Sequence, residues 1–464
     1  MTTLRSRAWV LLLGWIPLVV VAAGPSISRG SDLRIPCEVS RLENGLTVIL
    51  HRDPGSPGVS VNLSYRVGSG LERPGESGVA HLLEHLMFEG SANVPAGAFD
   101  QWLEDAGGRG NAATGEDFTV YWQDVPPGAL ELALFLESDR MAYLAEGIDE
   151  ERVERQKQVV ATERDYLYEA QPYAAAEWAM RLALYPAGHP YATPVIGTPD
   201  HVAGLTVERV VEFYRAHYHP ANASLVIAGD IEIEPTRKLV RKWFSHIRRE
   251  LPLRLPKIEP VTLEEDRVVV VTDSAPAPKL SLYWPSAAAF SPDEPELVVL
   301  ADLMGAAPSS RLQEVLVRER GLAISVSAGQ ESLRYGGLFS IEVVAVPGQP
   351  LSPVLQAVDE VIEGVMKRGV SKEEVRRSVA EISTNFLSEM ERVGGYQGLA
   401  GRLNAYWVYT GEPDFFAQDL ARYAGLKPRS IRTAARRWLG GGRVVLSVVP
   451  HQRRELAVAS GEAK

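Results

Sequence analysis

The segment 223-ASLVIAGD-230 is a short apolar run typical of a buried strand, and a similar run, 443-RVVLSVVP-450, recurs near the end of the chain. Two further strand-like runs, 46-LTVILHRD-53 and 267-RVVVVTD-273, open the two halves of the chain. Positions 46 and 267 are separated by 221 residues, and so are positions 229 and 450. An offset that is held across two distant pairs indicates an internal duplication.

Both halves continue with a second strand and then with apolar helical stretches. In the first half, apolar residues alternate with polar ones over 59–67, which predicts a half-buried strand. In the second half the corresponding run is 279-KLSLYWP-285. Antiparallel-type strands mixed with long helices predict an α+β fold of two homologous α/β-sandwich domains, each with helices on one face of a mainly antiparallel sheet. One continuous α/β domain is the alternative, although domains rarely exceed about 300 residues.

The predicted boundaries follow from this duplication and from composition. The first domain spans 33–248 and the second spans 267–452, followed by a tail over 453–464. Residues 249–266 are rich in proline and charge, and we interpret them as a linker.

The first 24 residues have the layout of a secretory signal peptide, with Arg5 and Arg7 ahead of an apolar run from Ala8 to Ala23. An uncleaved membrane anchor is the alternative, since the run approaches the length that spans a bilayer. With either, we expect an exported protein whose domains are periplasmic or otherwise extracytoplasmic. The net charge of −11 argues against nucleic acid as a partner, and the single cysteine, Cys37, excludes an intrachain disulfide.

The strongest local signal is 78-GVAHLLEHLMFEG-90. On a helix, His81 and His85 project from one face, and Glu84 shares that face. Imidazoles at this spacing supply two zinc ligands, and a carboxylate beside them can take a proton from an activated water. A buried helix with hydrogen-bonded histidines is the alternative, but polar groups on an apolar helix are costly without partners, and a metal resolves that cost.

A third protein ligand is needed to complete a zinc site. Asp149 is a good N-cap for a long helix, and Glu163 is the glutamate on the predicted inward stripe of that helix. The stripe consists of Val153, Gln156, Val160, Glu163 and Leu167. A carboxylate facing a core must be paired or ligated, so Glu163 is predicted to be either a metal ligand or one partner of a buried salt bridge with a local arginine.

These residues resemble the pitrilysin/insulinase family of zinc peptidases, the inverzincins, over about 33–450. The segment 68-GSGLERPGESGVAHLLEHLMFEGS-91 is similar to the active-site segment of the family, and 158-QVVATER-164 is similar to the surroundings of its distal glutamate. The resemblance implies one Zn²⁺ per chain on His81, His85 and Glu163, with Glu84 as general base. The family often has a second acidic residue seven positions before the glutamate, where this chain has Gln156.

The segment 107-GGRGNAATGEDFTVYW-122 resembles the edge strand that holds substrate in this family. We expect an extended peptide to add to this strand at Asn111 and Ala112 through main-chain hydrogen bonds, the alternative being an ordinary hairpin strand. Phe88 is expected to line the pocket near the scissile bond. The remaining family-like segments contain histidines that we interpret as structural: His189, His217 and His219.

The second half resembles the degenerate repeat of the family. A shift of 221 residues places His81, Glu84 and His85 over Asp302, Gly305 and Ala306, so the second half is predicted to hold no metal.

Family chains often carry an arginine and a tyrosine in a segment like 316-LVRERGLAISV-326, where this chain has Val317 and Ile324. We therefore predict a non-catalytic homologous subunit that supplies the Arg/Tyr pair, with a homodimer as the alternative. Arg318 and Arg320 are the candidates within the chain to replace the missing arginine.

The predicted function is that of a zinc-dependent endopeptidase acting on short or unfolded peptides, as the metal-bearing subunit of a two-chain assembly. A non-catalytic scaffold or binding subunit of the same family is one alternative, and a metal carrier that uses His81 and His85 without catalysis is another.

Overall fold

A computed structural model describes residues 33–459 and residue 461. The predicted signal segment over 1–24 lies outside the described residues, as does part of the predicted tail. Within 33–459, no helix is both long enough and apolar enough to cross a membrane.

Within the described residues, the first half contains six strands and eight α-helices. The strands are β1 Glu38–Arg41, β2 Thr47–Arg52, β3 Val59–Tyr65, β4 Arg109–Thr114, β5 Thr119–Val125 and β6 Ala223–Gly229. The helices are α1 Val79–Leu86, α2 Ala98–Asp105, α3 Leu130–Tyr143, α4 Glu150–Arg164, α5 Ala175–Leu184, α6 Pro199–Gly204, α7 Val207–His217 and α8 Ile233–Phe244. A π-helical turn, Asp165–Glu169, continues α4.

The described part of the second half contains five strands and six α-helices. The strands are β7 Arg267–Asp273, β8 Lys279–Ser286, β9 Ala323–Leu333, β10 Gly336–Ala345 and β11 Val444–Pro450. The helices are α9 Glu294–Ala301, α10 Leu351–Arg368, α11 Lys372–Met390, α12 Leu399–Thr410, α13 Phe416–Ala424 and α14 Pro428–Trp438. Two π-helical segments, Asp302–Ala306 and Gln313–Glu319, lie between α9 and β9. Residues 249–266 are all described and contain no helix or strand.

Apart from the extra edge strand β1 of the first sheet, the two sheets have the same strand order, which confirms the predicted α+β fold of two homologous domains. The first sheet runs β1-β2-β6-β3-β5-β4 and the second runs β7-β11-β8-β10-β9. Each sheet contains one parallel pair, β2–β6 and β7–β11, and its other pairs are antiparallel. The offset extends to helices, because Val207–His217 and Pro428–Trp438 differ by the same 221 residues as the strands.

Each half covers one face of its sheet with its own helices, and a helix of the other half covers the opposite face. On the first sheet, Ile49 and Val226 pack against Leu403 of α12. On the second sheet, Val444 and its neighbours pack against Met180 of α5. These two helices occupy equivalent places in the two repeats, so the halves interlock reciprocally, and the sequence pattern did not predict this exchange.

The exchange corrects the prediction of a half-buried strand at 59–67. The structure places β3 in the middle of its sheet with every residue buried, including Ser60, Asn62 and Ser64. Asn404 of α12 donates from Nδ2 to the main-chain oxygen of Asn62 at 3.0 Å and to its Oδ1 at 2.7 Å. The polar residues of β3 therefore face a second layer of protein, where the bonds from Asn404 offset part of the cost of burying Asn62.

Candidate metal centre and active site

Helix α1 is positioned by the loop that precedes it. Gly78 begins the helix with φ +92°, and the Glu72 side chain accepts from the N–H groups of Gly78 at 3.0 Å and Ala80 at 2.9 Å. Burial raises the pKa of Glu72 to about 8, against the lowering effect of these N–H groups. Leu82 and Leu86 are buried, so the helix presents its polar side away from the core. Sequence reasoning missed Glu72, since nothing in its spacing shows that the loop folds back onto the helix.

Two histidines of α1 and one glutamate of α4 converge in space. The Nε2 atoms of His81 and His85 are 3.4 Å apart, with the rings nearly perpendicular. A carboxylate oxygen of Glu163 lies 3.6 Å from His81 Nε2 and 3.4 Å from His85 Nε2. Within the described residues, this is the group of His, Cys, Asp or Glu side chains with ligand atoms all within 4.8 Å of one another.

The three atoms have the spacing that zinc requires. A tetrahedral zinc ion with bonds of about 2.0–2.1 Å holds its ligand atoms about 3.3–3.4 Å apart. The observed separations of 3.4, 3.4 and 3.6 Å match that edge length. Two imidazole nitrogens and one carboxylate leave a fourth position open, which is the donor set of a catalytic rather than a structural zinc site. The residues present therefore fit a zinc ion.

The two imidazoles differ in how readily they take the neutral form that a metal ligand needs. Burial and the neighbouring His85 ring lower the pKa of His81 to about 4. Burial also opposes protonation of His85, but the carboxylates of Glu163 and Glu84 outweigh it and raise the pKa of His85. The hydrogen bond from His85 lowers the pKa of Glu163. His81 Nδ1 is buried without a hydrogen-bond partner among the described residues.

Glu84 lies beside this cluster and is held by a residue that sequence reasoning missed. The Thr114 hydroxyl, at the end of β4, donates a short hydrogen bond to Glu84 Oε2. Burial raises the pKa of Glu84, and the bond from Thr114 opposes that rise. The signal in the sequence was the period of two, which puts Thr114 on the same side of β4 as Ala112 and hence towards α1.

The predicted inward stripe of α4 is correct only in part. Val153, Gln156 and Val160 are buried. The Glu163 side chain contacts the histidines and remains 36% exposed to solvent. Leu167 is exposed, so its inclusion was wrong. The chain widens into the π-helical turn directly after α4, which rotates the following residues away from the register of an α-helix.

Gln156 lies close to the histidine site. Its Nε2 donates to Glu89 at 2.5 Å, and its hydrogen bond with His85 contributes to the raised pKa of that ring. Gln156 thus takes part in a polar contact beside the histidines.

The predicted substrate strand is an edge strand beside α1. β4 pairs with β5 on one side, and no other described strand pairs with it. Asn111 is exposed and its Oδ1 accepts from the N–H of Ala112 at 2.8 Å, while Ala112 is buried. Phe88 is partly buried, and its ring packs against Phe99 and Tyr121. One edge of β4, next to the histidine cluster, is therefore unpaired with any described strand, although the Asn111 side chain occupies the N–H of Ala112.

Comparison with known proteins identifies the family. A family model described as insulinase (peptidase family M16) matches residues 47–196, and one described as the peptidase M16 inactive domain matches residues 204–382. The chain belongs to the pitrilysin/insulinase family, M16. The zinc protease PqqE of Helicobacter pylori is 28% identical over 84% of this chain and 87% of its own length.

Solved structures of similar proteins share the fold of this M16 chain. A protease from Helicobacter pylori aligns with a TM-score of 0.84 and 25% identity, covering 90% of this chain and 100% of that one. The periplasmic protease PqqL from Escherichia coli aligns with a TM-score of 0.75 and 19% identity, covering 93% of this chain and 50% of that one.

The other histidines lie outside the cluster. His189 stacks on Tyr185 with ring centroids 4.7 Å apart, and His217 packs on Phe213 at 4.6 Å. Burial lowers the pKa of His219, as it does for the other two. These contacts agree with the interpretation of all three as structural residues of an M16 domain.

The second half of the M16 chain carries no equivalent cluster within its described residues. Asp302, Gly305 and Ala306 lie on a π-helical segment that packs against β9. A side chain at Gly305 would come within 2.7 Å of the main-chain nitrogen of Ala328, so the backbone occupies the space that a ligand would need.

The segment expected to carry the Arg/Tyr pair is apolar at both positions. Val317 packs partly against the second core, and Ile324 is 55% exposed on the edge strand β9. Arg318 donates to Glu314 at 2.8 Å, and Arg320 donates to a glutamate of α10 at 2.6 Å. Both arginines are therefore engaged in surface ion pairs of their own half.

Proposed function

We propose that this chain is a zinc-dependent endopeptidase. The observation that carries the proposal is the convergence of His81, His85 and Glu163 at the edge length of a tetrahedral zinc site, with the Glu84 carboxylate on the same helix face. The zinc protease names among its relatives support the same chemistry. When bound, zinc polarises the scissile carbonyl and lowers the pKa of a water to about 7.

In this proposal each residue of the site has a separate role in metal binding or proton transfer. His81, His85 and Glu163 hold the ion and leave one position for the reacting groups. Glu84 accepts the proton of the attacking water and then donates it to the leaving amine, as general base and then general acid. Thr114 holds the Glu84 carboxylate in place through its hydroxyl. Burial raises the pKa of Glu84, which is the direction that a group acting first as base and then as acid requires.

Substrate class follows from the free edge of β4. A peptide that adds to this edge must be extended over several residues, and Asn111 and Ala112 would bind it through main-chain groups. Main-chain recognition depends little on side chains, so we propose short or unfolded peptides as substrates. Phe88, partly accessible and next to the core of the site, would contact a side chain near the scissile bond.

We further propose an exported protein that works with a second homologous chain. Val317 and Ile324 cannot donate hydrogen bonds to a substrate carbonyl, and Arg318 and Arg320 are engaged elsewhere. The PqqL chain, of which this chain covers 50%, has room for two such units in a single polypeptide, which supports pairing. A non-catalytic homologue that supplies an arginine and a tyrosine would complete the site, and a homodimer is the alternative.

The test is to purify the chain alone and together with a homologous chain, and to measure bound zinc and cleavage of a quenched unfolded peptide. We expect one zinc per chain, weak cleavage by the chain alone, stronger cleavage by the pair, and loss of both on chelation. Glu84→Gln should lower turnover by at least about 1,000-fold with zinc retained.

Each component of the proposal has its own contrary result. A scaffold protein would bind no zinc, and a metal carrier would bind it without any hydrolysis for Glu84→Gln to remove. Full activity from the homogeneous chain alone, as a monomer, would refute the need for a partner while leaving the peptidase intact.

A further inference from the structure

The turn between β4 and β5 is a meeting point of the two halves. Asp117, in this turn, is 7% exposed and its carboxylate accepts three hydrogen bonds. Tyr191 donates to Oδ1 at 2.6 Å, while the main-chain N–H of Arg334 and the hydroxyl of Tyr409 both donate to Oδ2 at 2.8 Å. Arg334 lies in the turn between β9 and β10, and Tyr409 lies on α12. Two of the three donors therefore come from the second half.

Other contacts strengthen this connection. The N–H of Tyr335 donates to the Tyr191 hydroxyl at 3.2 Å. The same β9–β10 turn therefore also contacts Tyr191, the residue that donates to Asp117 Oδ1. The ring of Phe118 packs edge-on against Tyr409 with centroids 5.9 Å apart. The Asp117 carboxylate is buried and accepts three hydrogen bonds, so its position is strongly fixed. Removal of any donor would leave a buried polar group with an unmade hydrogen bond.

The opposite end of the turn leads to the active site. Gly115 accepts from the N–H of Ser69 at 3.1 Å, in the loop that precedes α1. A side chain at Gly68 would come within 2.1 Å of the Gly115 oxygen, so loop and turn are in direct contact. Thr114, the residue before this turn, holds Glu84. Only two residues separate Thr114 from Asp117.

We propose that Asp117 is a positioning residue, through which the second half of the chain fixes the β4–β5 hairpin and, through Thr114, the orientation of the Glu84 carboxylate. This inference rests on the proposed peptidase function. The second half then contributes to catalysis without holding a metal ligand. Its β9–β10 turn and α12 bind the β4–β5 hairpin. This hairpin carries Thr114, which contacts Glu84, and the edge of β4 proposed to bind substrate.

Substitution of Asp117 should therefore misplace the Glu84 carboxylate without removing the metal. An amide at position 117 has a single acceptor oxygen and directs its own N–H groups towards donors, so the turn must shift. A displacement of about 1 Å of a positioned group can lower a rate by up to about 100-fold. His81, His85 and Glu163 lie on helices outside the hairpin, so zinc binding should be unaffected.

The central experiment compares two tyrosines of α12. Tyr409→Phe removes the donor to Asp117, and Tyr406→Phe removes an equivalent donor to the buried carboxylate of Asp419, which lies away from the hairpin. We expect Tyr409→Phe to lower kcat about tenfold with KM within about twofold and one zinc per chain. Tyr406→Phe should lose comparable stability but keep kcat within about twofold.

A double-mutant cycle tests the route through Thr114. Thr114→Val should lower kcat, and Thr114→Ser, which keeps the hydroxyl, should restore it. Asp117→Asn should lower kcat by up to about 100-fold. In combination with Thr114→Val it should lower kcat little further, because both changes free the Glu84 carboxylate from its position. Hydrogen exchange of the β4 amides should be faster in Tyr409→Phe than in Tyr406→Phe, a measurement that needs no activity.

The outcomes separate the two proposals. If the zinc-loaded wild type, with or without a homologous chain, cleaves no peptide, the peptidase function fails, and hydrogen exchange still decides whether Asp117 holds the hairpin. If the wild type cleaves peptides but Tyr409→Phe behaves like Tyr406→Phe, the positioning role alone is overturned. Additive effects of Asp117→Asn and Thr114→Val, or loss of zinc from Tyr409→Phe, would overturn it as well.

Discussion

At the scale of single residues, the site depends on two imidazoles in different environments. His81 is the more buried, with 12% of its side chain exposed against 23% for His85, and burial keeps it neutral. Glu163 shares one carboxylate oxygen between the two rings and favours the protonated form of His85. Metal binding needs both imidazoles neutral, whereas Glu163 favours a proton on His85, so metal binding and proton release at this ring are linked.

Glu163→Gln should lower zinc affinity about 100-fold or more, because an amide oxygen carries no charge to offset the ion. The matched control is Glu150→Gln, an exposed glutamate in the first turn of the same helix, which should leave affinity unchanged. Competition with a chromophoric chelator measures both variants. Equal zinc affinity for the two would remove Glu163 from the site.

At the scale of elements, α1 carries the histidines and its start is set by a glycine. Gly78 has a left-handed backbone conformation and packs closely against the loop between α5 and α6. A Cβ there would lie 2.8 Å from the oxygen of Ile196 and 3.1 Å from the Cα of Gly197. The helix can therefore sit where it does only with hydrogen at this position, since L-residues are strained at positive φ and the space is filled by backbone.

Gly78→Ala should cost about 3 kcal/mol of unfolding free energy or more and should also weaken zinc binding, because relief of the clash moves α1. Gly75→Ala is the control: Gly75 also has a positive φ, +87°, but nothing lies within 4 Å of its added Cβ. It should cost only about 1 kcal/mol and keep zinc. Urea titrations with zinc content checked at each step compare the two, and equal losses would show that backbone strain alone matters at Gly78.

At the scale of the whole molecule, the halves are joined by exchange of equivalent helices rather than by the linker alone. α12 covers the first sheet and α5 covers the second. Asn404 of α12 is fully buried, donates to Asn62 and accepts from the hydroxyl of Ser224 at 2.5 Å. The second half thus completes the core of the half that carries the histidines.

Asn404→Ala should lower the free energy of unfolding by about 2–4 kcal/mol, because it leaves several polar groups of β3 and β6 buried without partners. Arg402→Ala, two residues earlier on the helix and in a surface pair with Glu389, should cost less than about 1 kcal/mol. Both halves should unfold in one transition because they share two apolar clusters, and two separate transitions in chemical denaturation would contradict this picture.

Much of this protein was determined by its sequence alone. The 221-residue offset predicted the duplication, since equivalent strands keep equivalent spacing in both repeats. The i, i+4 histidines with Glu84 between them predicted a polar helix face, because helical geometry makes their side chains neighbours whatever surrounds them. The inward side of α4 singled out Glu163 by the same local rule. Local periodicity sufficed wherever the functional geometry lies within one element.

Only the tertiary structure decided the contacts between distant elements. The burial of Ser60, Asn62 and Ser64 depends on a helix more than three hundred residues away, and their polar pattern by itself indicates solvent. The position of Leu167 depends on a π-helical turn that periodicity does not reveal. Thr114 and Asp117 gained their partners from the way α1, β9–β10 and α12 pack around one hairpin, and such packing is set by the whole core rather than by any stretch of chain.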